Sequence, residues 1–544
     1  MSGTVTLRDV HVGFGARAVL AGVDLVVGPG DRVGIVAPNG VGKSTLLRVL
    51  AGELAPESGA VVRAPASTAV VRMAQEPEVR PGETLHEHLA RRTGVAAAST
   101  ALEEATAALA AGEPGGGDAY STALDSWLAR GGADLDERAA AVTAALRLPD
   151  DLLNRGATAL SGGQRARLAL AAVLLARPDV LLLDEPTNDL DDDGLARLEA
   201  HVRTTPAGVV VVSHDRAFLA ATVGRIVEID EFTHGVSEYG GGWESYVDER
   251  LAARRRAVAA RTTYETERSR LVDTARRQRE WARAGAQRAA NPRYAPDNDK
   301  TIRSWRIEGA ENLGTGAART GRAIERLDAD APDVVREPWQ LRLSIAQAPR
   351  SGDVVVAMRD AVVERGDVVL GPFAFDLASA ERVRLTGPNG SGKTTLVDAI
   401  VGRQPLRAGT RYVGPSVVIG ELDQSRHTFD TAESVTDVVR GIAGTGPVET
   451  RTLLAKFRLA GELALRPARS LSPGERTRAA LALLQARGVN FLVLDEPTNH
   501  LDIEAIEQVE SALDDYSGTL LLVTHDRRLA EAVRVDRTID VRDL

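Results

Sequence analysis

Five short strings recur in one fixed order in the two halves of the chain, and that order constrains the fold more than any other feature of the sequence. The first copy reads APNGVGKST, then Gln75, LSGGQRAR, LLLDEPTNDLD and VVSHDR; the second reads GPNGSGKTT, then Gln424, LSPGERTR, LVLDEPTNHLD and LVTHDR. Chance does not assemble five elements in one order twice, so the chain holds two copies of one structural unit, with Lys43 and Lys393 350 residues apart. At roughly 150 residues per domain, 544 residues leave room for two large α/β domains and a segment between them. The copies differ in one interval: Gln75 to Ser161 spans 86 residues and Gln424 to Ser472 spans 48, so the first copy holds an insertion of 38 residues around 96–133. Its Gly-rich stretch GEPGGGD at 112–118 lies between Ala-rich segments and reads as the turn of a helical hairpin, either a lengthened surface loop or a partner-contacting arm.

Each copy opens with a glycine-rich loop in a defined context. An apolar, β-branched run, DRVGIVA at 31–37 or ERVRLTG at 381–387, precedes the loop, and an amphipathic helical pattern follows it. Strand, glycine turn and helix N-terminus make backbone N–H groups and the helix dipole converge on an anion. Lys43 and Lys393 are expected to reach the β- and γ-phosphates of ATP, with Ser44 and Thr394 on Mg²⁺. Asn39, Gly40, Gly42 and Thr45 in the first loop, and Gly387, Asn389, Gly390, Gly392 and Thr395 in the second, complete two phosphate cradles, giving two ATP per chain. Ala37 stands where Gly387 stands in the second copy, and alanine fits there if its φ is negative.

Apolar runs lead into Asp184-Glu185 and Asp495-Glu496, which reads as a buried strand carrying a carboxylate pair to its C-terminal edge, where open α/β sheets place ligands. Asp184 and Asp495 can hold the Mg²⁺ shell, while Glu185 and Glu496 can orient or deprotonate an attacking water. His214 and His525 each follow a second apolar strand and arrive at the same edge, beside the γ-phosphate. An acidic pair or a histidine alone is more often structural; the repeat in one frame favours function.

Ser161-Gly162-Gly163-Gln164 and Ser472-Pro473-Gly474-Glu475, each preceded by leucine and followed by the acidic strand, resemble the signature motif of ATP-binding cassette ATPases. Gln75 and Gln424 resemble the Q-loop, which also faces the metal, and His214 and His525 the H-switch. The resemblance implies an α/β fold of two tandem ABC-type nucleotide-binding domains, each with the P-loop NTPase fold, joined by a long helical-hairpin linker. The boundaries expected are 1–242, 243–335 and 336–544. It further implies that the signature of one cassette faces the phosphate loop of the other, so that site one combines Lys43, Glu185 and Ser472, and site two Lys393, Glu496 and Ser161. The strings DEPTNDLD and DEPTNHLD are similar to the ABC-F branch, whose members lack membrane domains and act on the ribosome. Asp189 departs from the histidine usual there, which the second copy keeps as His500. Phe14 lies where the family places an aromatic platform for adenine, and Arg365 takes that place in the second copy, either as a stacking guanidinium or as a solvated turn residue.

The net charge of −10 hides a cationic segment: residues 250–327 carry 19 Lys/Arg against 9 Asp/Glu, leaving −20 for the remainder. From Trp243 to Ala290 there is no proline and much Ala and Arg, which predicts one helix about 70 Å long. Pro292 and Pro296 end it, and the following residues can return beside it, with Gly314, Gly316 and Gly321 weakening the second helix. Tyr246, Leu251, Tyr264, Leu271 and Trp281 are too few to form a core stripe, so the hairpin reads as a projecting RNA probe. Its candidate contacts are Arg283, Arg288, Arg293, Tyr294, Lys300, Arg303, Trp305 and Arg306. The segment resembles the ABC-F linker, which implies a ribosomal partner, with large-subunit rRNA and P-site tRNA at the tRNA exit site, and in resistance members a tip near the peptidyl-transferase centre.

The sequence has no cysteine, no apolar run near the roughly 18 residues of a membrane span and no signal-peptide pattern, so a cytoplasmic monomer is expected. Two alternatives share the cassette motifs, a housekeeping ABC-F translation factor and the ATPase subunit of a membrane drug exporter, and a third, a DNA-linked ATPase, follows from the positive charge of the connector.

Overall fold

The computed structural model describes residues 3–15, 17–73, 80, 82–148, 162–188, 190–290, 318–332, 353–366, 368–498 and 501–544. They divide into two compact units, Met1–Trp243 with Gln340–Leu544, and Glu244–Trp339.

The first unit contains the two repeats. In the first, a six-stranded sheet runs in the order Val70–Met73, Val180–Asp184, Gly208–Val212, Arg32–Val36, Arg225–Ile229 and Val236–Gly240. Its first five strands are parallel and the last is antiparallel. Val180–Asp184 and Gly208–Val212 are buried along their whole length, because the helices Gly162–Leu175 and Asp192–Thr204 cover one face and the helix Lys43–Leu50 with the strands Thr4–Phe14 and Arg17–Val27 covers the other, and continuous apolar runs satisfy both. The second repeat has five parallel strands in the order Ile419–Glu421, Phe491–Asp495, Thr519–Val523, Arg382–Thr386 and Arg537–Asp540.

Each repeat adds a three-stranded antiparallel sheet, Arg17–Val27, Thr4–Phe14 and Ser58–Ala64 in the first and Val368–Ala378, Val354–Arg365 and Leu406–Val413 in the second. Both centre strands change register in the same frame, between Leu7 and Val10 and between Met358 and Ala361, where Asp9 and Asp360 take φ of 46° and 47°. A glycine packs against each bulge: a Cβ on Gly59 would stand 2.2 Å from the Asp9 carbonyl oxygen, and one on Gly409 2.3 Å from that of Asp360. The repeat thus extends from motifs to backbone irregularities.

The insertion is a helical hairpin, Val95–Ala110 and Gly116–Ala129, packed on itself and on Leu85–Arg92. The expected turn at 112–118 is shorter than predicted, since Gly115 at φ 81° caps a helix that already begins at Gly116. At the base of this region Arg91 Nε donates to the nearly buried Glu83 carboxylate at 2.6 Å, and that bond chiefly holds the Glu83 pKa down at about 2. A depressed carboxylate contributes stability above its unfolded value of about 4.5 and loses it as pH falls through the folded value. Glu83→Gln should therefore cost about 2 kcal/mol at pH 7, and urea titrations of the two proteins should converge as pH approaches 2.

In the second unit the helix Gly242–Ala290 has 49 residues, close to the expected span. Residues 318–329 form a helix that returns antiparallel to it. Tyr264 Oη donates to Asp328 at 2.7 Å, Arg268 pairs with the same carboxylate at 2.8 Å, and Thr320 bonds Gln278 at 3.0 Å. Gly321 lies inside the returning helix and does not break it. Arg283 is exposed, as is Trp281 at 61%. Arg293, Tyr294, Lys300, Arg303, Trp305, Arg306 and the side chain of Arg288 lie outside the described residues. Among the described residues no helix is long and apolar enough to cross a membrane.

Candidate nucleotide sites

Gly42 and Gly392, at φ 129° and 95°, turn the chain from strand into the helices Lys43–Leu50 and Lys393–Val401, and neither position suits a side chain. A Cβ on Gly42 would lie 2.7 Å from Val19 Cγ1. Lys43 Nζ donates to Ala37 O at 2.9 Å and Asn39 Oδ1 at 3.1 Å, and meets His214 Nε2 at 3.0 Å. Lys393 Nζ donates to Gly387 O at 2.7 Å and Pro388 O at 3.2 Å. Both ammonium groups sit inside their own loops, buried, and desolvation lowers both pKa values. Ala37 keeps its φ out of the positive range, while Gly387 takes 142°, so the two loops open with different backbones.

The carboxylate pairs arrive at the strand ends as expected. Asp184 is buried and bonded to Ser44, and Thr394 Oγ1 donates to Asp495 Oδ2 at 3.2 Å. Glu185 and Glu496 follow their strands in the left-handed region, φ 48° and 47°, a conformation that costs a non-glycine residue about 1–3 kcal/mol and concentrates at functional sites. Each is held on both sides: Glu185 N–H donates to Val212 O at 2.8 Å and its Oε2 accepts from His214 N–H at 3.2 Å, while Glu496 N–H donates to Val523 O at 2.9 Å and its Oε2 accepts from His525 N–H at 3.3 Å. The second oxygen of each, Oε1, is buried with no hydrogen bond, although His214 Nε2 lies 3.2 Å from that of Glu185, out of alignment. Burial raises both pKa values, that of Glu496 to about 7, and lowers that of His214. A fixed carboxylate with one oxygen left over is equipped to take a proton.

The sites are shared between the repeats. Asp502 Oδ1 caps the helix Ile503–Asp514, and its Oδ2 accepts from Asn39 N–H in the first phosphate loop at 3.3 Å. Asp191 Oδ1 caps the helix Asp192–Thr204, and its Oδ2 accepts from Asn389 N–H in the second loop at 3.0 Å. Gly163 stands so near that loop that an added Cβ would be 3.3 Å from Asn389 Cβ. Gly162, Gly163 and Gln164 open the helix Gly162–Leu175. Ser472 caps the helix Pro473–Ala486, its hydroxyl accepting from Glu475 N–H at 3.3 Å while the Glu475 carboxylate accepts from Ser472 N–H at 2.9 Å, with Gly474 in that first turn. A cleft of about 510 Å³ is lined by Phe14, Arg17, Lys43, Glu185 and, from the second repeat, Thr498 and Leu501.

Phe14 is 54% exposed at the edge of this cleft. Its counterpart Arg365, 54% exposed at the end of the strand Val354–Arg365, pairs with Asp398 at 2.6 Å, which also holds Arg403. Gln75, Ser161, Asp189 and His500 lie outside the described residues, as does the side chain of Gln424. Asp191 and Asp502 were missed as site residues, although both close the repeated DEPTN strings. Arg17, which donates to Gly40 O at 3.4 Å, carried no sequence signal.

The ABC transporter family matches residues 20–188 and 370–499. The chain is 36% identical to the tylosin resistance ATP-binding protein TlrC of Streptomyces fradiae, over 97% of this chain and 95% of that protein. It is 31% identical to the energy-dependent translational throttle protein EttA of Mycobacterium tuberculosis, over 96% of this chain and 88% of that one. Its backbone superposes on the RNase-L Inhibitor with a TM-score of 0.58 at 19% identity, covering 98% of this chain and 87% of the other, a likeness of fold alone.

Proposed function

The chain belongs to the ABC-F family and hydrolyses ATP, and from that premise we propose that it closes on two ATP molecules at the sites shared by its cassettes and uses the closed form to hold its helical hairpin on the ribosome. The observation that carries this reading is the crossed pair Asp502 to Asn39 and Asp191 to Asn389, through which each cassette completes the other's phosphate loop.

Lys43 and Lys393 would bind the β- and γ-phosphates, and His214 and His525 the γ-phosphate. The bonds of Ser44 with Asp184 and Thr394 with Asp495 place a hydroxyl and a carboxylate together, a hard-oxygen set that fits Mg²⁺, with Gln75 and Gln424 completing it. The metal would neutralise charge on the phosphate oxygens. Glu185 and Glu496 would align the attacking water and accept its proton on Oε1.

The hairpin would meet RNA. Its exposed arginines suit phosphates, and the residues 291–317 between its helices, Tyr294 and Trp305 among them, would reach from the tRNA exit site toward the peptidyl-transferase centre beside P-site tRNA. Hydrolysis would then release the factor into the cytoplasm. Likeness to a tylosin resistance protein favours protection of the large subunit against an antibiotic, and likeness to a translational throttle protein favours a housekeeping translation factor. Deleting residues 291–300 in a strain that depends on this chain decides between them: the protective reading expects drug susceptibility to rise at least about fourfold with unchanged ATP turnover by the purified protein, an effect of only about 0.8 kcal/mol on the competition with the drug. Unchanged susceptibility to large-subunit antibiotics would leave the housekeeping role.

A further inference from the structure

Two arginine–glutamate pairs cross between the cassettes, and the internal repeat relates them. Arg216 Nη1 donates to Glu510 Oε2 at 3.1 Å while Nη2 meets Oε1, and Arg527 Nη1 donates to Glu199 Oε1 at 2.8 Å. The offset of 311 residues that carries His214 to His525 and Asp191 to Asp502 also carries Arg216 to Arg527 and Glu199 to Glu510. Each pair bridges the two elements that enclose one nucleotide site. Arg216 opens the helix Arg216–Thr222, capped by Asp215 and two residues from His214. Glu510 lies on the helix Ile503–Asp514, whose capping aspartate, Asp502, bonds the first phosphate loop. The second pair repeats this arrangement, joining the helix after His525 to the helix whose Asp191 bonds the second loop. There His525 Nδ1 also stands 3.5 Å from Asp192 Oδ1.

We propose that each pair is the electrostatic latch of one ATP site, a positioning device that registers the histidine of one cassette against the aspartate loop of the other without touching nucleotide. The latches are unequal. Arg216 and Glu510 are 11% and 15% exposed and joined by both nitrogens, whereas Arg527 and Glu199 are 38% and 18% exposed and joined by one. A less solvated, bidentate pair couples more strongly, so closure is firmer at the site holding Lys43 than at the site holding Lys393.

This rests on the reading that hydrolysis occurs at sites shared by the cassettes, and the experiment separates the two. In full-length chain carrying E496Q, which leaves site one to turn over, R216E should lower kcat about tenfold or more with ADP affinity at the parent value, and it should also lower Tm, because it sets two carboxylates together in a nearly buried pair. The charge-swapped R216E/E510R should recover most of the rate. In the mirror experiment, R527E in an E185Q chain should lose less. Unchanged kcat in R216E, or a loss that the swap does not recover in a protein of parental Tm, would overturn the latch. Hydrolysis persisting in E185Q/E496Q would instead sink the underlying site assignment, whatever Arg216 does.

Discussion

Replacing Glu185 and Glu496 together by glutamine is expected to slow ATP turnover by at least about a hundredfold and to leave ATP bound. Glutamine keeps the shape of the side chain, and its carbonyl oxygen can still accept from the N–H of His214 or His525 as each carboxylate does. The amide cannot take a proton from water. Because the backbone at both positions is left-handed and anchored to the neighbouring strand, the substituted side chain stays where the carboxylate was, and the phosphate loop is untouched. Phosphate release under saturating ATP measures the loss, and equilibrium binding of labelled ATP measures the retention. Single substitutions then apportion turnover between sites that differ at Ala37 and Gly387 and at Phe14 and Arg365.

The second large effect is expected at the hairpin. Arg277, Arg279 and Arg283 are exposed on the helix Gly242–Ala290, so changing all three to glutamine removes charge without removing packing. Stability should stay within about 0.5 kcal/mol, and ATP turnover by the isolated protein should not change. Affinity for ribosomes should fall several-fold, and the dependence of log affinity on log salt should become shallower by about one unit for each phosphate that the protein no longer neutralises. A salt series of filter-binding titrations reads both quantities. Equal slopes for the two proteins would mean that these arginines form a solvated face and nothing more.

The repeat made much of this legible from residues alone. Strand, loop and helix around Lys43 and Lys393, the buried strands ending in Asp184 and Asp495, and the long helix from Gly242 were all readable because hydrophobic period and glycine placement are local signals. What escaped was mostly non-local. Asp191 and Asp502 look like ordinary helix caps in sequence, and only tertiary structure brings their second oxygens to a loop in the other cassette. Arg365 could be read two ways because its partner, Asp398, lies 33 residues away on the helix after the second loop. The early start of the helix at Gly116 was missed for a local reason, since a glycine cluster reads as a turn even when one of its members is the left-handed cap of a helix.

Cosedimentation of the E185Q/E496Q chain with 70S ribosomes tests the central claim, that closure on ATP drives the hairpin onto the ribosome. With ATP the protein should pellet with ribosomes and stay there through a wash; with ADP it should remain in the supernatant. Equal recovery in the two nucleotides, or none in either, would contradict the coupling of the shared ATP sites to ribosome binding.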